Sequence, residues 1–70
     1  MMPLLLAPAN TDLRIVKIVA DEKIKTHLFD LGITLDSIVR TKRNGKNVIL
    51  IAKGVRLAID NDILSRIYVA

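Results

Sequence analysis

The amino-acid sequence predicts a mainly β fold, a small barrel of about five short strands with one α-helix after the first strand and a short helical turn before the last. Three observations predict this fold. The dipeptide Asn44-Gly45 lies between two β-prone runs and is a strong hairpin signal. Gly54 interrupts an apolar run and is followed by the alternating segment 55–59. Helical spacing is clear in one stretch, which ends at Gly32.

The first part of the chain predicts a short apolar segment and then a strand. Leu4 to Leu6 lies between two prolines, which favours a turn or an extended segment. Leu13 to Val19 is rich in β-branched residues and predicts the first strand. Its apolar residues do not alternate cleanly with polar ones. We therefore expect either a strand that is partly covered on both faces or a strand with a β-bulge.

The helix is predicted to begin near Asp21, whose carboxylate can cap free backbone N–H groups. Ile24, His27, Leu28 and Leu31 have helical spacing and predict one apolar face against the sheet. Gly32 predicts the helix end, because glycine adopts the left-handed conformation after the last turn at little cost. The residue after it, Ile33, is expected to contact the helix and so to form a packed corner.

The central hairpin is predicted from strands on both sides of Asn44-Gly45. Ile38–Thr41 should pair with Val48–Ile51, and both turn residues tolerate the positive φ angles of a type I′ turn. The second strand of this hairpin should run from Asn47 to Ala52.

The last part of the chain predicts two more short strands. After Gly54, the segment 55–59 should form a further strand, and its residues Val55, Leu57 and Ile59 should face the protein core. Asp60 or Asn61 can cap a helical turn over 62–66. The segment 67–69 should form the final strand.

Length and composition predict one domain over residues 1–70 whose core is aliphatic. With no cysteine and one histidine, neither disulfides nor structural zinc can supplement the core. Phe29 and Tyr68 are the only aromatic residues, and we expect Phe29 in the core. The absence of cysteine fits a reducing compartment, so we expect a cytoplasmic protein. The apolar N-terminal run is too short and too rich in proline for a signal peptide, and no run is long enough to span a membrane.

The residues that could in principle carry catalysis are explained better by structural roles. His27 lies among apolar helix residues, and Ser37 and Ser65 have no histidine at a recognisable spacing. Gly45-Lys46 lacks the other glycine and the hydroxyl residue of a P-loop. The run 60–62 lacks the glycine and the distal glutamate of a calcium loop and is explained better as a helix cap. We expect no enzyme activity, no metal site and no cofactor.

The formal net charge is +4, and the positive residues are spread along the chain apart from one group at the hairpin tip. This group, Lys42, Arg43 and Lys46, is called the basic tip below. It has two interpretations, a solvated turn or a contact surface for an acidic partner. Nucleic-acid binding is disfavoured, because proteins that bind single strands stack bases on several aromatic side chains.

Several motifs together resemble the FeoA family of ferrous-iron transport accessory proteins over about residues 4–69. The resemblance rests on segment 28–33 with its Leu-Gly-Ile corner, the basic hairpin, segment 54–59 with the pattern Gly-x-Arg-Leu-Ala, and the final Ile-x-Val. Two positions depart from the family pattern, since Leu13 and Asp36 stand where many members have glycine. Aspartate is an acceptable turn residue, so the departure at 36 does not endanger the fold.

The resemblance implies an SH3-like barrel that assists the membrane iron permease FeoB through its cytoplasmic portion, which includes a GTPase domain. We expect partner contact at the basic tip, because its charge would attract an acidic partner face, and a structural role for the motif residues Leu31, Gly32, Ile33, Gly45, Gly54, Arg56 and Leu57. Two alternatives remain: a basic barrel that binds RNA or the ribosome, and a self-associating module such as a homodimer.

Overall fold

A computed structural model describes all 70 residues and shows six antiparallel strands in one sheet. The strands are β1 (Met2–Pro3), β2 (Leu13–Ile18), β3 (Ile38–Asn44), β4 (Asn47–Ala52), β5 (Val55–Ala58) and β6 (Ile67–Val69). A 3₁₀ helix spans Leu4–Leu6, and two α-helices follow, α1 (Glu22–Asp30) and α2 (Asn61–Leu64). The strand order is β1-β6-β2-β3-β4-β5. The mainly β fold is confirmed, and the two-residue β1 adds a sixth strand to the five that were expected.

The core is formed by aliphatic side chains from the sheet, both α-helices and the N-terminal segment. Each buried leucine, isoleucine or valine contributes about 1.5–3 kcal/mol relative to an exposed one. Thr41 is the only buried polar residue. The buried apolar residues are Leu4, Ala7, Ile15, Leu28, Ile33, Val39, Val48, Leu50, Ala52, Leu64, Ile67 and Val69.

Strand β2 contains the β-bulge that its irregular pattern allowed. Ile15 pairs with Val69 and Lys17 pairs with Tyr68, so Val16 is the extra residue between them. The bulge changes the side-chain alternation, and Ile15 is buried while Lys17 is exposed. Helix α1 and the corner after it therefore lie beside a strand in which the inward and outward alternation of side chains changes phase at the bulge.

Helix α1 begins and ends as predicted. The carboxylate of Asp21 accepts a hydrogen bond from the backbone N–H of Ile24 at 2.9 Å. At the other end, Gly32 has φ +85, and the N–H of Ile33 donates to the carbonyl of Leu28 at 2.9 Å. The N–H of Gly32 donates to the carbonyl of Phe29, which completes a Schellman motif. Leu28 and Ile33 are both buried, so this corner joins the helix end to the core.

The central hairpin forms, but its predicted register and turn type were wrong. The turn residues are Gly45 and Lys46, and Asn44 pairs with Asn47. Arg40 consequently lies opposite Ile51, a register two residues away from the predicted one. Gly45 has φ +63, whereas neither Asn44 nor Lys46 has a positive φ, the pattern of a type II′ turn. A shift of two residues keeps every side chain on its face, so the apolar alternation could not distinguish the two registers.

The second hairpin contains the type I′ geometry that was expected in the first. Lys53 and Gly54 connect β4 to β5, and they have φ +52 and +76. Two successive positive φ angles define this turn, and its twist matches that of the flanking strands. Glycine meets this requirement freely, whereas a lysine side chain is strained there.

Two expectations near the end of the chain need correction. Leu57 and Ile59 pack partly against the core, but Val55 is 55% exposed because β5 lies at the edge of the sheet. The helical turn α2 occupies 61–64 rather than 62–66. Asp60 precedes it without a capping hydrogen bond from its side chain.

Asp36 occupies a left-handed backbone conformation, with φ +70, after the helix corner. Its backbone N–H donates to the carbonyl of Ile15 at 2.8 Å, and its carboxylate accepts from Arg14 at 3.2 Å. Aspartate tolerates this conformation better than most residues, although glycine tolerates it best. This geometry explains how aspartate is accommodated at this turn, as expected for an acceptable turn residue.

Replacing Lys53 by Asn should stabilise the protein. Asparagine adopts positive φ more readily than lysine, so we expect K53N to raise the free energy of unfolding by about 0.5–1 kcal/mol. The matched control is K46N, which removes the same charge from a turn position without a positive φ. Its effect should stay below about 0.5 kcal/mol. Urea denaturation followed by circular dichroism measures both changes, and equal effects would show that the conformation of Lys53 carries no strain.

Candidate functional site

The basic tip does not form one continuous patch. Val39 and Thr41 are buried, so the alternation of β3 puts Arg43 on the core side of the sheet and Lys42 on the outer side. Lys46 lies in the turn. The guanidinium of Arg43 donates to the carbonyl of Leu5 at 3.1 Å and ties the hairpin to the N-terminal segment. Lys42 and Lys46 are exposed and form no ion pair, so they are the members of the tip that remain free for a partner.

Three other arginines are paired with aspartates on the surface. Arg14 contacts Asp36 at 3.2 Å, Arg40 contacts Asp12 at 2.8 Å, and Arg66 contacts Asp62 at 3.4 Å. Exposed pairs of this kind contribute at most about 1 kcal/mol each to stability. Their main consequence is electrostatic, since they leave the positive field of the protein to its unpaired lysines and to Arg43 and Arg56.

Helix α1 buries a narrower face than predicted. Leu28 is buried and Ile24 is half-buried, whereas His27 is exposed and Leu31 is 38% exposed. Successive helical residues are about 100° apart, so His27 and the residue after Leu28 lie on opposite flanks of the buried stripe. A helix of nine residues on a small sheet covers the core with this stripe and leaves both flanks accessible.

The residue on the second flank is Phe29, and its expected place in the core was wrong. Phe29 is 67% exposed. It borders a groove between α1, β2 and the corner after the helix, with a volume of about 340 Å³. We call this the Phe29 groove, and it is lined by Val16, Lys17, Ile18, Lys25, Phe29, Ile33, Thr34 and Leu35.

The Phe29 groove combines an apolar surface with positive charge. Leu35 is exposed beside Phe29, while Ile33 connects the groove to the core. Lys17 and Lys25 are exposed and form no ion pair. Exposed aromatic and aliphatic side chains in a concave surface are typical of protein-binding sites, and lysines at the rim favour an acidic partner.

The sequence contains a signal for this groove that its composition does not reveal. Ile24, Leu28 and Leu31 define the buried stripe by their spacing, and Phe29 falls about 100° away from Leu28. The partners of Phe29 in the groove come from β2 and from the corner after the helix. Val16, the extra residue of the bulge in β2, is one of these partners, and periodicity within the helix carries no information about them.

The other concave surfaces contain no constellation of catalytic groups. No three histidine, aspartate, glutamate or cysteine side chains lie together in a way that could hold a metal ion. A cavity of about 480 Å³ near the turn end of the central hairpin is lined by asparagines, Asp60 and aliphatic residues. Ser37 is used structurally, because its hydroxyl accepts a hydrogen bond from the backbone N–H of Thr34 at 3.2 Å. No helix has the length and the apolar character that crossing a membrane requires.

A protein-family model, the FeoA domain, matches residues 2–70 of the chain. The fold is similar to the crystal structure of an iron uptake regulatory protein, FeoA, with a TM-score of 0.86 and 22% identity, covering 99% of this chain and 93% of that one. It is also similar to the solution structure of the FeoA protein from Chlorobium tepidum, with a TM-score of 0.85 and 18% identity over 97% of this chain and 68% of that one. A search of curated proteins gives no significant match.

Substitutions at two neighbouring positions of α1 should differ sharply in their effect on stability. Leu28→Ala removes a side chain that is 1% exposed, so we expect a loss of about 2–5 kcal/mol or a failure to fold. Phe29→Ala removes a mostly exposed side chain and should cost less than about 1 kcal/mol. Urea denaturation of the two variants measures the difference. A loss at Phe29 as large as the loss at Leu28 would place the phenyl ring in the core.

Proposed function

Because the chain belongs to the FeoA domain family, we propose that it is an accessory protein of ferrous-iron uptake that binds the cytoplasmic portion of a FeoB-type iron permease. The family is part of the ferrous-iron transport system. In this proposal residues 1–70 act as one interaction module in the cytoplasm, at the inner face of the membrane when the partner is bound. The module contributes no catalytic residue of its own.

The observation that carries the proposal is the Phe29 groove. Exposed apolar side chains that are grouped in a concave surface mark interaction sites, and aromatic anchors supply much of the affinity of protein interfaces. The groove volume of about 340 Å³ accommodates one or two apolar side chains of a partner segment. Lys17 and Lys25 then favour acidic residues beside those anchors.

The basic tip supplies a second contact in this proposal. Lys42 and Lys46 are unpaired and exposed, so they attract an acidic face without disturbing the fold. Arg43 contributes less, because its guanidinium is engaged with the carbonyl of Leu5. Long-range attraction by exposed charges mainly accelerates association, whereas the apolar groove controls dissociation.

The test is binding of the purified protein to the cytoplasmic portion of the permease encoded in the same organism. Phe29→Ala should weaken binding at least tenfold, the effect expected of an interface anchor. The triple variant K42A/R43A/K46A should slow association and reduce its dependence on salt, with a smaller change in the dissociation rate. Surface plasmon resonance at two salt concentrations separates these effects.

The matched control for the groove is Leu6→Ala, because Leu6 is 72% exposed and does not line the groove. It should bind the permease as the unaltered protein does. If Phe29→Ala and Leu6→Ala bind equally well, the groove is not the contact. A nucleic-acid function is favoured instead if deletion of the gene leaves ferrous-iron uptake unchanged and the purified protein binds single-stranded RNA in a salt-sensitive manner.

A further inference from the structure

Strand β5 has a free edge with unpaired backbone groups. The sheet ends at β5, which pairs only with β4. Val55 pairs with Ala52 next to the two-residue turn, so these two residues exchange both backbone hydrogen bonds. By the alternation of an antiparallel ladder, Arg56 and Ala58 then direct their N–H and C=O groups away from β4. No backbone bond from a turn or loop reaches either residue.

The free edge opens onto an apolar groove on the flank of α1 opposite Phe29. This groove has a volume of about 330 Å³ and lies between α1, β5 and α2. Leu57 and Ile63 are half-buried in its walls, and Leu31 is partly exposed there. His27 lies at its helical side. A peptide placed along β5 would therefore contact apolar side chains of this groove on the inner side of the sheet.

The outer side of the sheet beside the same edge is positively charged. Arg56 is exposed, faces Ile51 across the strands and forms no ion pair. Lys53 lies in the turn that leads into β5. A residue opposite Arg56 on an added strand would have its Cβ about 5 Å away, close enough for a carboxylate to pair with the guanidinium.

From this juxtaposition we infer that the free edge of β5 binds an extended peptide segment in which apolar and acidic residues alternate. The segment would become an additional strand by β-augmentation, with backbone bonds to Arg56 and Ala58. Its apolar residues would contact Leu31 and Leu57, and its acidic residues would face Arg56. This inference concerns a surface separate from the Phe29 groove and does not rest on the proposed permease partner.

A second copy of this chain is a poorer occupant of the edge. Pairing β5 with β5 of another copy would bring two copies of Arg56 onto the same face, either opposite each other or on a diagonal. Like charges at these positions are destabilising, and positive charge on an edge strand is a common protection against self-pairing. The same charge attracts an acidic segment, so charge complementarity selects the peptide over the dimer.

The probe is a seven-residue peptide of alternating valine and glutamate with blocked termini, titrated into the full chain labelled with ¹⁵N. Binding should shift the amide signals of Arg56 and Ala58 and slow their hydrogen exchange. A peptide with lysine in place of glutamate should bind at least tenfold more weakly. Two further glutamate peptides carry N-methyl groups on alternate backbone nitrogens, one on the odd-numbered residues and the other on the even-numbered residues. Only one of the two should lose binding, because only its methyl groups replace the N–H donors that face β5.

The variant Arg56→Glu should weaken binding of the glutamate peptide at least tenfold and should favour the lysine peptide. Lys23→Glu is the matched control, because it makes the same charge change at an exposed helix position outside the groove. The affinity of this control for the glutamate peptide should lie within about twofold of that of the unaltered protein. The inference is overturned if the glutamate peptide does not bind at millimolar concentration, if R56E and K23E bind it equally, or if both methylated peptides bind fully. Peptide binding that persists in Phe29→Ala separates this result from the test of the permease contact.

Discussion

The register of strand β4 constrains the rest of the structure. β4 pairs with β3 from Asn47 to Ala52 and with β5 from Ile49 to Ala52. This register directs Leu50 into the core, where it is fully buried, and leaves Ile51 on the outer face between two arginines. A slip of one residue would exchange these faces and move Leu50 out of the core. The two-residue turns at the ends of β4, each with a glycine at positive φ, hold the register in place.

The parts of the fold that the sequence could predict are those with local causes. The helix cap at Asp21 and the helix end at Gly32 depend on a few neighbouring residues, and both occur at the predicted positions. The bulge in β2 was indicated by a broken alternation within one strand. By contrast, the turn at Gly45 depends on how two strands align across the sheet. The Asn-Gly dipeptide favours one alignment, but contacts of the whole hairpin with the core decide between two registers that differ by two residues and therefore keep the same side chains on each face.

The candidate site was harder to predict than the fold, and for two different reasons. The basic tip was visible in the sequence, but strand alternation separates Lys42 from Arg43, and a backbone carbonyl engages the latter. Phe29 was misplaced because an aromatic residue in a small aliphatic protein suggests a core residue. Its position relative to Leu28 contradicts that assignment on helical geometry alone. The surroundings of Phe29, however, come partly from β2, and periodicity within the helix cannot place that strand beside the phenyl ring.

The exposed apolar surfaces follow from the small size of the protein. A chain of 70 residues buries only about 60% of its unfolded surface, and one helix of nine residues cannot cover both sides of its contact with the sheet. The uncovered surface lies on the two flanks of α1, beside Phe29 and beside Leu31. In the segment 54–58, the turn needs Gly54 and the core needs Leu57, whereas the charge of Arg56 satisfies no group within the fold. Partner binding can complete both features, since it adds burial to a marginal core and pairs a charge that the isolated chain leaves free.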